Sequence, residues 1–320
     1  MQNIYVNASE SQLLVDKGRL LIGDKASVRY QSVPLSMIDR LVIDARSTLS
    51  LHHLHKIIEA GSSILIHHPR SSDVVRIDGH RCADVRIRLG QFTLLSDPDY
   101  RMKLAVRLIQ FKIATEIQTL CRMQRRRPAL AGKIQEEIER LRMIHIDKPS
   151  YSELLGKEGA ASALYFRALQ ALFAPQLGFQ GRNKRPPKDP CNVILSLSYT
   201  MVHAEAVKEF SLAGFDTALG FLHAPLNGRD SLACDVLEML RSKIDFWVWR
   251  LFSEGYLRAD HFTMHPGTEK PCFLGKAGRA LFYEAFEQKL PFWRRQLRTI
   301  ARRWRQQLEK DYQETDWAGA

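Results

Sequence analysis

Hydrophobic and polar residues alternate over short distances in the first eighty residues of the chain. Runs rich in β-branched residues are separated by Gly, Asp, Ser and Pro, which is the pattern of short strands joined by turns. One helix interrupts them at residues 49–61, where apolar side chains recur every three or four positions before Gly61. The predicted strands lie in NIYV, QLLVDKGRLLI with a turn at Lys17-Gly18, SVRYQ, DRLVIDA, SSILIHH and DVVRI.

From about residue 98 the apolar spacing becomes that of long helices. Asp97 or Asp99 can cap the first of them, and Asp189 followed by Pro190 is a typical helix start. We therefore predict an α+β fold, in which a β-rich N-terminal domain (residues 1–85) and a linker (86–97) precede a larger all-α domain (98–320). Besides the helix near residue 98, the pattern predicts helices from Asp189 to Gly214, from about Asp230 to Gly255 and from Lys276 to Gln288.

The chain carries an excess of positive charge. Its 320 residues include 47 Lys and Arg against 35 Asp and Glu, a formal charge of +12. This balance favours a polyanionic partner, usually nucleic acid, because neutralised phosphates release counterions. No apolar run approaches the length of a membrane span, the N-terminus lacks the pattern of a secretion signal, and five scattered cysteines show no paired spacing. We expect a cytoplasmic protein with reduced thiols.

Glu158 stands near the start of a helical segment, GKEGAASALYF at residues 156–166, whose later turns are apolar. Position 165 lies two turns further along the same face, so Glu158 is expected to point toward buried surface. The spacing leaves two interpretations open. Glu158 is either a carboxylate with a function or a first-turn glutamate that the helix dipole stabilises.

A histidine and two further acids lie in the apolar stretch FLHAPLNGRDSLACDVLEML, residues 221–240. His223 precedes a loop, and Asp235 and Glu238 share one face of the next helix because they are three residues apart. Together with Glu158 they would suit a hard divalent ion, Mg²⁺ or Mn²⁺, with the imidazole favouring Mn²⁺. The alternative is a set of capping and salt-bridge partners, and the spacing alone does not decide between the two.

Grouped positive charge lies between these acids along the chain. The segment GRNKRPPKDPCN, residues 181–192, carries Arg182, Lys184, Arg185 and Lys188 in a loop that two prolines stiffen. Positive charge next to a metal site can bind the phosphate backbone of DNA, so these four residues are predicted to bind DNA. A second cluster, RMQRRRP at residues 122–128, fits the C-terminal end of a helix equally well. In the arginine-rich tail after residue 290 the apolar face favours packing, and a DNA-facing basic helix is the alternative.

Four ordered segments resemble the CRISPR-associated Cas1 family, the integrase-endonucleases of spacer acquisition. They are EGAASALYF from Glu158, RNKRPPKDPCNVILSLSYT from Arg182, GFLH ending at His223 and SLACDVLEMLR from Ser231. The chain has no P-loop, no GxGxxG after a strand and no nucleophile elbow, so ordinary nucleotide-binding and hydrolase functions are not indicated. Where the family often has Arg-Pro after its last acid, this chain has Ser242 after Arg241.

The resemblance implies that the helical domain is catalytic. Its metal ligands would be Glu158, His223 and Glu238, with Asp235 as the neighbouring acid of the catalytic set and Mg²⁺ or Mn²⁺ as the cofactor. The implied partners are double-stranded DNA (prespacer and CRISPR repeat), a second copy of the chain in a homodimer, and the small protein Cas2. The implied activities are metal-dependent DNA cleavage and a transesterification in which a 3′-hydroxyl of prespacer DNA attacks a phosphodiester of the repeat.

Two alternatives stay open from the sequence. A casposon-type transposon integrase would share the fold and the chemistry. A DNA-binding scaffold would instead use the acids and His223 as ordinary core partners, and its stability would not depend on Mn²⁺. The sequence also does not decide whether Asp235 or Glu238 binds the metal directly.

Overall fold

The computed structural model describes residues 2–6, 11–24, 30–67, 74–77, 85–183, 186–264 and 270–313. The chain divides into two compact units, Met1–Cys82 and Ala83–Ala320. Strands dominate the first unit and helices the second, which confirms the predicted α+β class. Residues 86–97, predicted to be a linker, are almost entirely helix α2 (Val85–Ser96), which lies in the helical unit.

The described residues of the N-terminal unit form two four-stranded sheets, ordered by strand number as 1-5-7-8 and 4-3-2-6. The short sixth strand was not predicted, and most of the predicted strand SVRYQ lies outside the described residues. The elements are β1 (Gln2–Tyr5), β2 (Ser11–Asp16), β3 (Arg19–Asp24), β4 (Gln31–Pro34), β5 (Ile38–Asp44), β6 (Thr48–Leu49), helix α1 (Leu51–Glu59), β7 (Ser63–His67) and β8 (Val74–Ile77).

Local sequence accounts for the strand pairing in this unit. Lys17 and Gly18 have φ angles of 44° and 72°, and a two-residue hairpin turn of type I′ needs positive φ at both positions. The β2–β3 hairpin therefore forms where it was predicted. β5 pairs in parallel with both β1 and β7 and is buried along almost its whole length, with Leu41 and Ile64 in the core. Helix α1 provides the crossover that parallel β5 and β7 require.

The helical unit begins with α2 and continues through seven further helices among the described residues. Two-residue strands β9 (Phe262–Thr263) and β10 (Phe273–Leu274) pair antiparallel within it, and the unit is otherwise helical over its described residues, as predicted. The single helix predicted from Asp230 to Gly255 is two helices, with a turn at Met239 and Leu240. The helices are α3 (Pro98–Arg126), α4 (Ala131–Arg142), α5 (Tyr151–Leu172), α6 (Pro190–Leu212), α7 (Ser231–Glu238), α8 (Arg241–Ser253) and α9 (Lys276–Gln313).

Side-chain caps set the start of the helices that matter for function. Asp97, not Asp99, caps α3 by accepting a hydrogen bond from the backbone N–H of Asp99. Ser150 and Glu153 form a reciprocal capping box at the start of α5. Asp189 caps α6 as predicted, accepting from the backbone N–H of Asn192 at 2.9 Å.

The arginine-rich tail belongs to the 38-residue helix α9, whose apolar stripe is packed. Trp293 and Leu297 are fully buried. Two arginines on the same helix pair with buried acids of α6: Arg294 Nε lies 2.9 Å from Glu205, and Arg298 Nε lies 2.9 Å from Glu209. The tail therefore packs as a structural helix. None of the described helices is long and apolar enough to cross a membrane.

Two leucines of α6 test how much the packing of this unit contributes. Leu195 is fully buried and Leu212 is 45% exposed. We expect Leu195→Ala to lower the free energy of unfolding by about 2–5 kcal/mol, because it removes core contacts and leaves a cavity. Leu212→Ala is the matched control and should cost less than about 0.5 kcal/mol. Urea unfolding followed by tryptophan fluorescence measures both, and equal effects would show that Leu195 does not pack in the core.

Candidate active site

Glu158 lies on the second turn of α5, facing α3. Its carboxylate Oε1 contacts Lys112 Nζ of α3 and accepts a hydrogen bond from Ser162 Oγ at 3.0 Å. The side chain remains 27% exposed at the edge of a cavity. Glu158 therefore faces a partly buried, charged surface, and the helix dipole alone does not explain its position.

Glu238 reaches the same point from a different helix. It is the last residue of α7, and its side chain is only 6% exposed. Its Oε2 lies 2.8 Å from Lys112 Nζ, and its Oε1 lies 2.8 Å from Arg241 Nε. Burial would raise the pKa of Glu238, but Arg241 and Lys112 together lower it to about 2. Both carboxylates therefore converge on one ammonium group.

Asp235, one turn before Glu238, has a different surrounding. It is fully buried, and its carboxylate accepts backbone N–H bonds from Phe221, Leu222 and His223 at 2.6, 3.1 and 2.9 Å. It also contacts His223 Nδ1 at 2.6 Å. Asp235 thus fixes both the loop and the imidazole. His223 lines the cavity, whereas Asp235 is not among the described residues of its lining.

The loop that carries His223 is held from two further sides. Tyr151, in the first turn of α5, donates its hydroxyl to the carbonyl oxygen of Leu222 at 2.5 Å. A Cβ at Gly220 would lie 2.6 Å from the His223 carbonyl oxygen and 2.9 Å from Asp235 Oδ2, so this position requires glycine. The helix of Glu158 and the loop of His223 are therefore fixed to each other.

Lys112 is the centre of this arrangement. Its side chain is 5% exposed, and Nζ also donates to Ser162 Oγ at 3.2 Å. Burial alone would lower the pKa of Lys112, but the nearby charges of Glu238, Glu116 and Glu158 raise it overall. The lysine is therefore a buried cation that two glutamates hold in its charged form.

A layer of buried polar groups lies beneath these residues. Burial raises the pKa of Glu116 to about 8, although the charge of Lys112 opposes the rise, and Glu116 Oε2 has no hydrogen-bond partner among the described residues. Burial also raises the pKa of Asp245 to about 6, while the hydroxyl of Tyr199, which donates to Asp245 Oδ1, works against it. Tyr165 is fully buried beside them.

These groups share one cavity of about 810 Å³. Its lining combines acidic residues with Lys112 and four arginines, and such cationic groups can bind a phosphate. The charged and imidazole residues of the lining are Lys112, Glu116, Glu158, Arg167, Arg182, His223, Arg229, Glu238, Arg241 and Asp245.

Two carboxylates and an imidazole facing one cavity are ligands that Mg²⁺ or Mn²⁺ accepts. As the side chains stand, no three carboxylate, imidazole or thiol groups within the described ranges are close enough to hold an ion. Lys112 supplies the positive charge between Glu158 and Glu238 instead. The donor set therefore fits a divalent ion chemically, provided that the ammonium group moves aside.

The predicted DNA-binding residues have different surroundings. Arg182 lines the cavity, but its guanidinium donates to Asn192 Oδ1 at 2.7 Å and Ser196 Oγ at 2.9 Å, so it is fixed against α6. Lys188 is exposed at the end of the same loop. Lys184 and Arg185 lie outside the described residues.

Lys112, Glu116 and Arg241 are site residues that the sequence pattern did not predict. A signal for the first two was present in α3, where positions 108, 112, 116 and 120 lie one turn apart on a buried face. Leucine occupies the outer two positions, and Lys112 and Glu116 the inner two. Charged residues in a buried stripe indicate pairing or function, because an isolated buried charge is costly.

Comparisons with known proteins show which family the chain resembles. A profile of the family described as CRISPR associated protein Cas1 matches residues 4–288. The chain is 32% identical to "CRISPR-associated endonuclease Cas1 1" of Thermodesulfovibrio yellowstonii over 97% of its own length and 95% of that protein.

Two solved structures share the fold. A casposase bound to integration product matches with a TM-score of 0.79 and 20% identity, over 96% of this chain and 91% of that one. A chain of a Cas6-RT-Cas1–Cas2 complex matches with a TM-score of 0.80 and 19% identity, over 97% of this chain and 35% of that one.

The raised pKa of Glu116 predicts a pH dependence of stability. A buried carboxyl whose pKa rises from 4.5 to about 8 on folding contributes stability that is complete below pH 4.5 and is lost as the pH rises toward 8. We expect wild-type protein in chelator to lose stability relative to Glu116→Gln between pH 5 and 8, by up to about 1.4 kcal/mol per pH unit. Urea unfolding at several pH values measures the difference. Asp245 is present in both proteins and contributes equally to both pH profiles. Parallel profiles would therefore show that folding does not raise the pKa of Glu116.

Proposed function

The chain belongs to the Cas1 family of CRISPR-associated endonucleases, and we propose that Glu158, His223 and Glu238 form its metal-dependent catalytic centre. Its activity is that of a nuclease and integrase of CRISPR adaptation. One observation carries the proposed site: the carboxylates of Glu158 and Glu238 converge on a single cation position in a cavity that His223 also lines.

The reaction we propose is a transesterification on DNA. The 3′-hydroxyl oxygen of a prespacer strand forms a new bond to a phosphorus atom of the CRISPR repeat. The bond between that phosphorus and the 3′-oxygen of the preceding repeat nucleotide breaks. The attacking hydroxyl loses its proton and the departing oxygen gains one, so charge and atoms balance. A divalent ion, Mg²⁺ or Mn²⁺, would polarise the phosphoryl oxygen and lower the pKa of the attacking hydroxyl.

The side chains of the site have separate tasks in this proposal. Arg241 keeps Glu238 ionised at neutral pH and therefore able to act as a ligand. Asp235 holds His223 by its Nδ1 nitrogen, so Nε2 is the nitrogen that would bind the metal ion in the cavity. Asp235 is thus a positioning residue, and Glu238 is the acid of α7 that binds the metal.

The arginines of the lining would hold the DNA backbone. Arg182 is fixed by Asn192 and Ser196, so it offers a preorganised positive charge at the cavity wall. Exposed Lys188 would contact phosphate further along the strand. For Lys184 and Arg185 the DNA-binding role rests on the sequence pattern alone.

Substitution of the three proposed ligands tests the site. We expect Glu158→Ala and His223→Ala to reduce Mn²⁺-dependent strand transfer to background with the fold retained, because each removes a metal ligand. The measurement is integration of labelled prespacer DNA into a repeat-containing plasmid, with circular dichroism as the folding check. Glu136→Gln on α4 is the control, since that carboxylate is 63% exposed and pairs with Arg140.

The same assay separates the two acids of α7. Glu238→Gln should behave like the ligand variants, whereas Asp235→Asn should lose about 10- to 100-fold, as expected for a residue that acts through a ligand. Asp235→Asn should also be less stable, because the amide cannot accept all the backbone bonds that Asp235 accepts. Full activity of both Glu158→Ala and His223→Ala would overturn the proposed site. Stability and cleavage that are both indifferent to Mn²⁺ and chelator would favour the DNA-binding scaffold.

We also propose that the chain works as a homodimer with Cas2. Support comes from the shared fold with a chain of a Cas6-RT-Cas1–Cas2 complex. The casposase shares the fold equally, but the endonuclease relative at 32% identity favours the CRISPR function over the transposon alternative. Light scattering should give the mass of a dimer alone and a larger assembly when Cas2 from the same locus is added. An unchanged mass after addition would exclude a stable complex.

A further inference from the structure

Lys112 occupies the position between the two proposed acidic ligands. Its ammonium group contacts Glu158 Oε1 and lies 2.8 Å from Glu238 Oε2 and 3.2 Å from Ser162 Oγ. The side chain is 5% exposed, so water hardly competes for these contacts. An ion held by Glu158 and Glu238 must therefore displace the ammonium group from at least one of them.

A destination for the displaced group lies one helical turn away. Glu116 is four residues after Lys112 on α3, and side chains at this spacing reach each other. Glu116 is 2% exposed, it lines the same cavity, and its Oε2 has no hydrogen-bond partner among the described residues. A buried carboxyl oxygen without a partner is costly and needs an explanation.

We propose that Lys112 is an internal substitute for the catalytic metal ion, and that Glu116 receives its ammonium group when the ion binds. This inference rests on the proposed metal site of Glu158, His223 and Glu238. Without the ion, Lys112 holds the two glutamates together. With the ion bound, Lys112 pairs with Glu116, whose carboxyl releases its proton to solvent as the pair forms.

Electrostatics favours this exchange in both directions. Glu238 is buried and Glu158 is only partly exposed, so without a cation between them the two carboxylates repel each other and the metal-free site needs Lys112. A divalent ion beside an ammonium group would place three positive charges at one point, so the loaded site needs Lys112 elsewhere. Lys112 lowers the apparent affinity for metal by competing for the ligands, and Glu116 raises it by stabilising the displaced lysine.

Metal affinity provides a test that does not depend on catalysis. The measurement is Mn²⁺ binding to the full chain without DNA, by electron paramagnetic resonance of free Mn²⁺, together with the melting temperature in chelator. We expect Lys112→Met to bind Mn²⁺ about tenfold more tightly, within the usual range for two coupled ligands. The same variant should melt at a lower temperature than wild type in chelator, because Glu158 and Glu238 then lack a cation.

Glu116→Gln should act in the opposite direction and only through Lys112. We expect it to weaken Mn²⁺ binding about tenfold in the wild-type background and to have no effect in the Lys112→Met background. Equal effects in both backgrounds, or unchanged affinity in Lys112→Met, would overturn the proposal. If Lys112→Met does not fold in chelator, the Mn²⁺ affinity of Glu116→Gln alone decides. An affinity equal to that of wild type would show that Glu116 does not receive the ammonium group.

One further variant separates this inference from the proposed function. Glu158→Gln should lose Mn²⁺ binding if the metal site is correct. Wild-type affinity in Glu158→Gln would reject the metal site itself. Loss of binding in Glu158→Gln with unchanged affinity in Lys112→Met would reject the exchange of Lys112 alone.

Discussion

Glu158 and Glu238 reach one point in the helical unit from α5 and α7, and their charges can be buried together only beside a positive charge. Lys112 of α3 supplies that charge and so joins three helices at the cavity. Arg241 adds a second cation behind Glu238, which keeps its carboxylate ionised. The two carboxylates therefore need a positive charge between them, and either a divalent ion or a lysine can supply it.

The surrounding structure restricts how this position can be approached. Asp235 uses both of its carboxylate oxygens on the loop of residues 221–223, so His223 has little freedom to turn away from the cavity. Gly220 allows the close approach on which that loop depends. Charge pairing recurs further from the site, where Arg294 and Arg298 attach α9 to buried acids of α6. Part of the positive charge that suggested nucleic acid thus holds helices together.

Local sequence predicted the structure correctly where a few neighbouring residues decide the outcome. The hairpin at Lys17-Gly18 and the cap at Asp189 depend on backbone angles and side chains within a few positions, and both form as expected. It failed where distant packing decides. Residues 86–97 are helix α2 because the helical unit buries Ile87 and Leu94, and the predicted helix after Asp230 breaks at Met239 and Leu240.

The sequence by itself predicted the α+β class and the family resemblance, and it named Glu158, His223, Asp235 and Glu238 as candidate site residues, because these rest on residue types and ordered motifs. Only the tertiary structure distinguished the two acids of α7, burying Asp235 against a loop and turning Glu238 into the cavity. It also brought Lys112 and Glu116 into the site from a helix more than forty residues away along the chain. Burial and long-range contact decide which charges must share a partner, and neither can be read from local spacing.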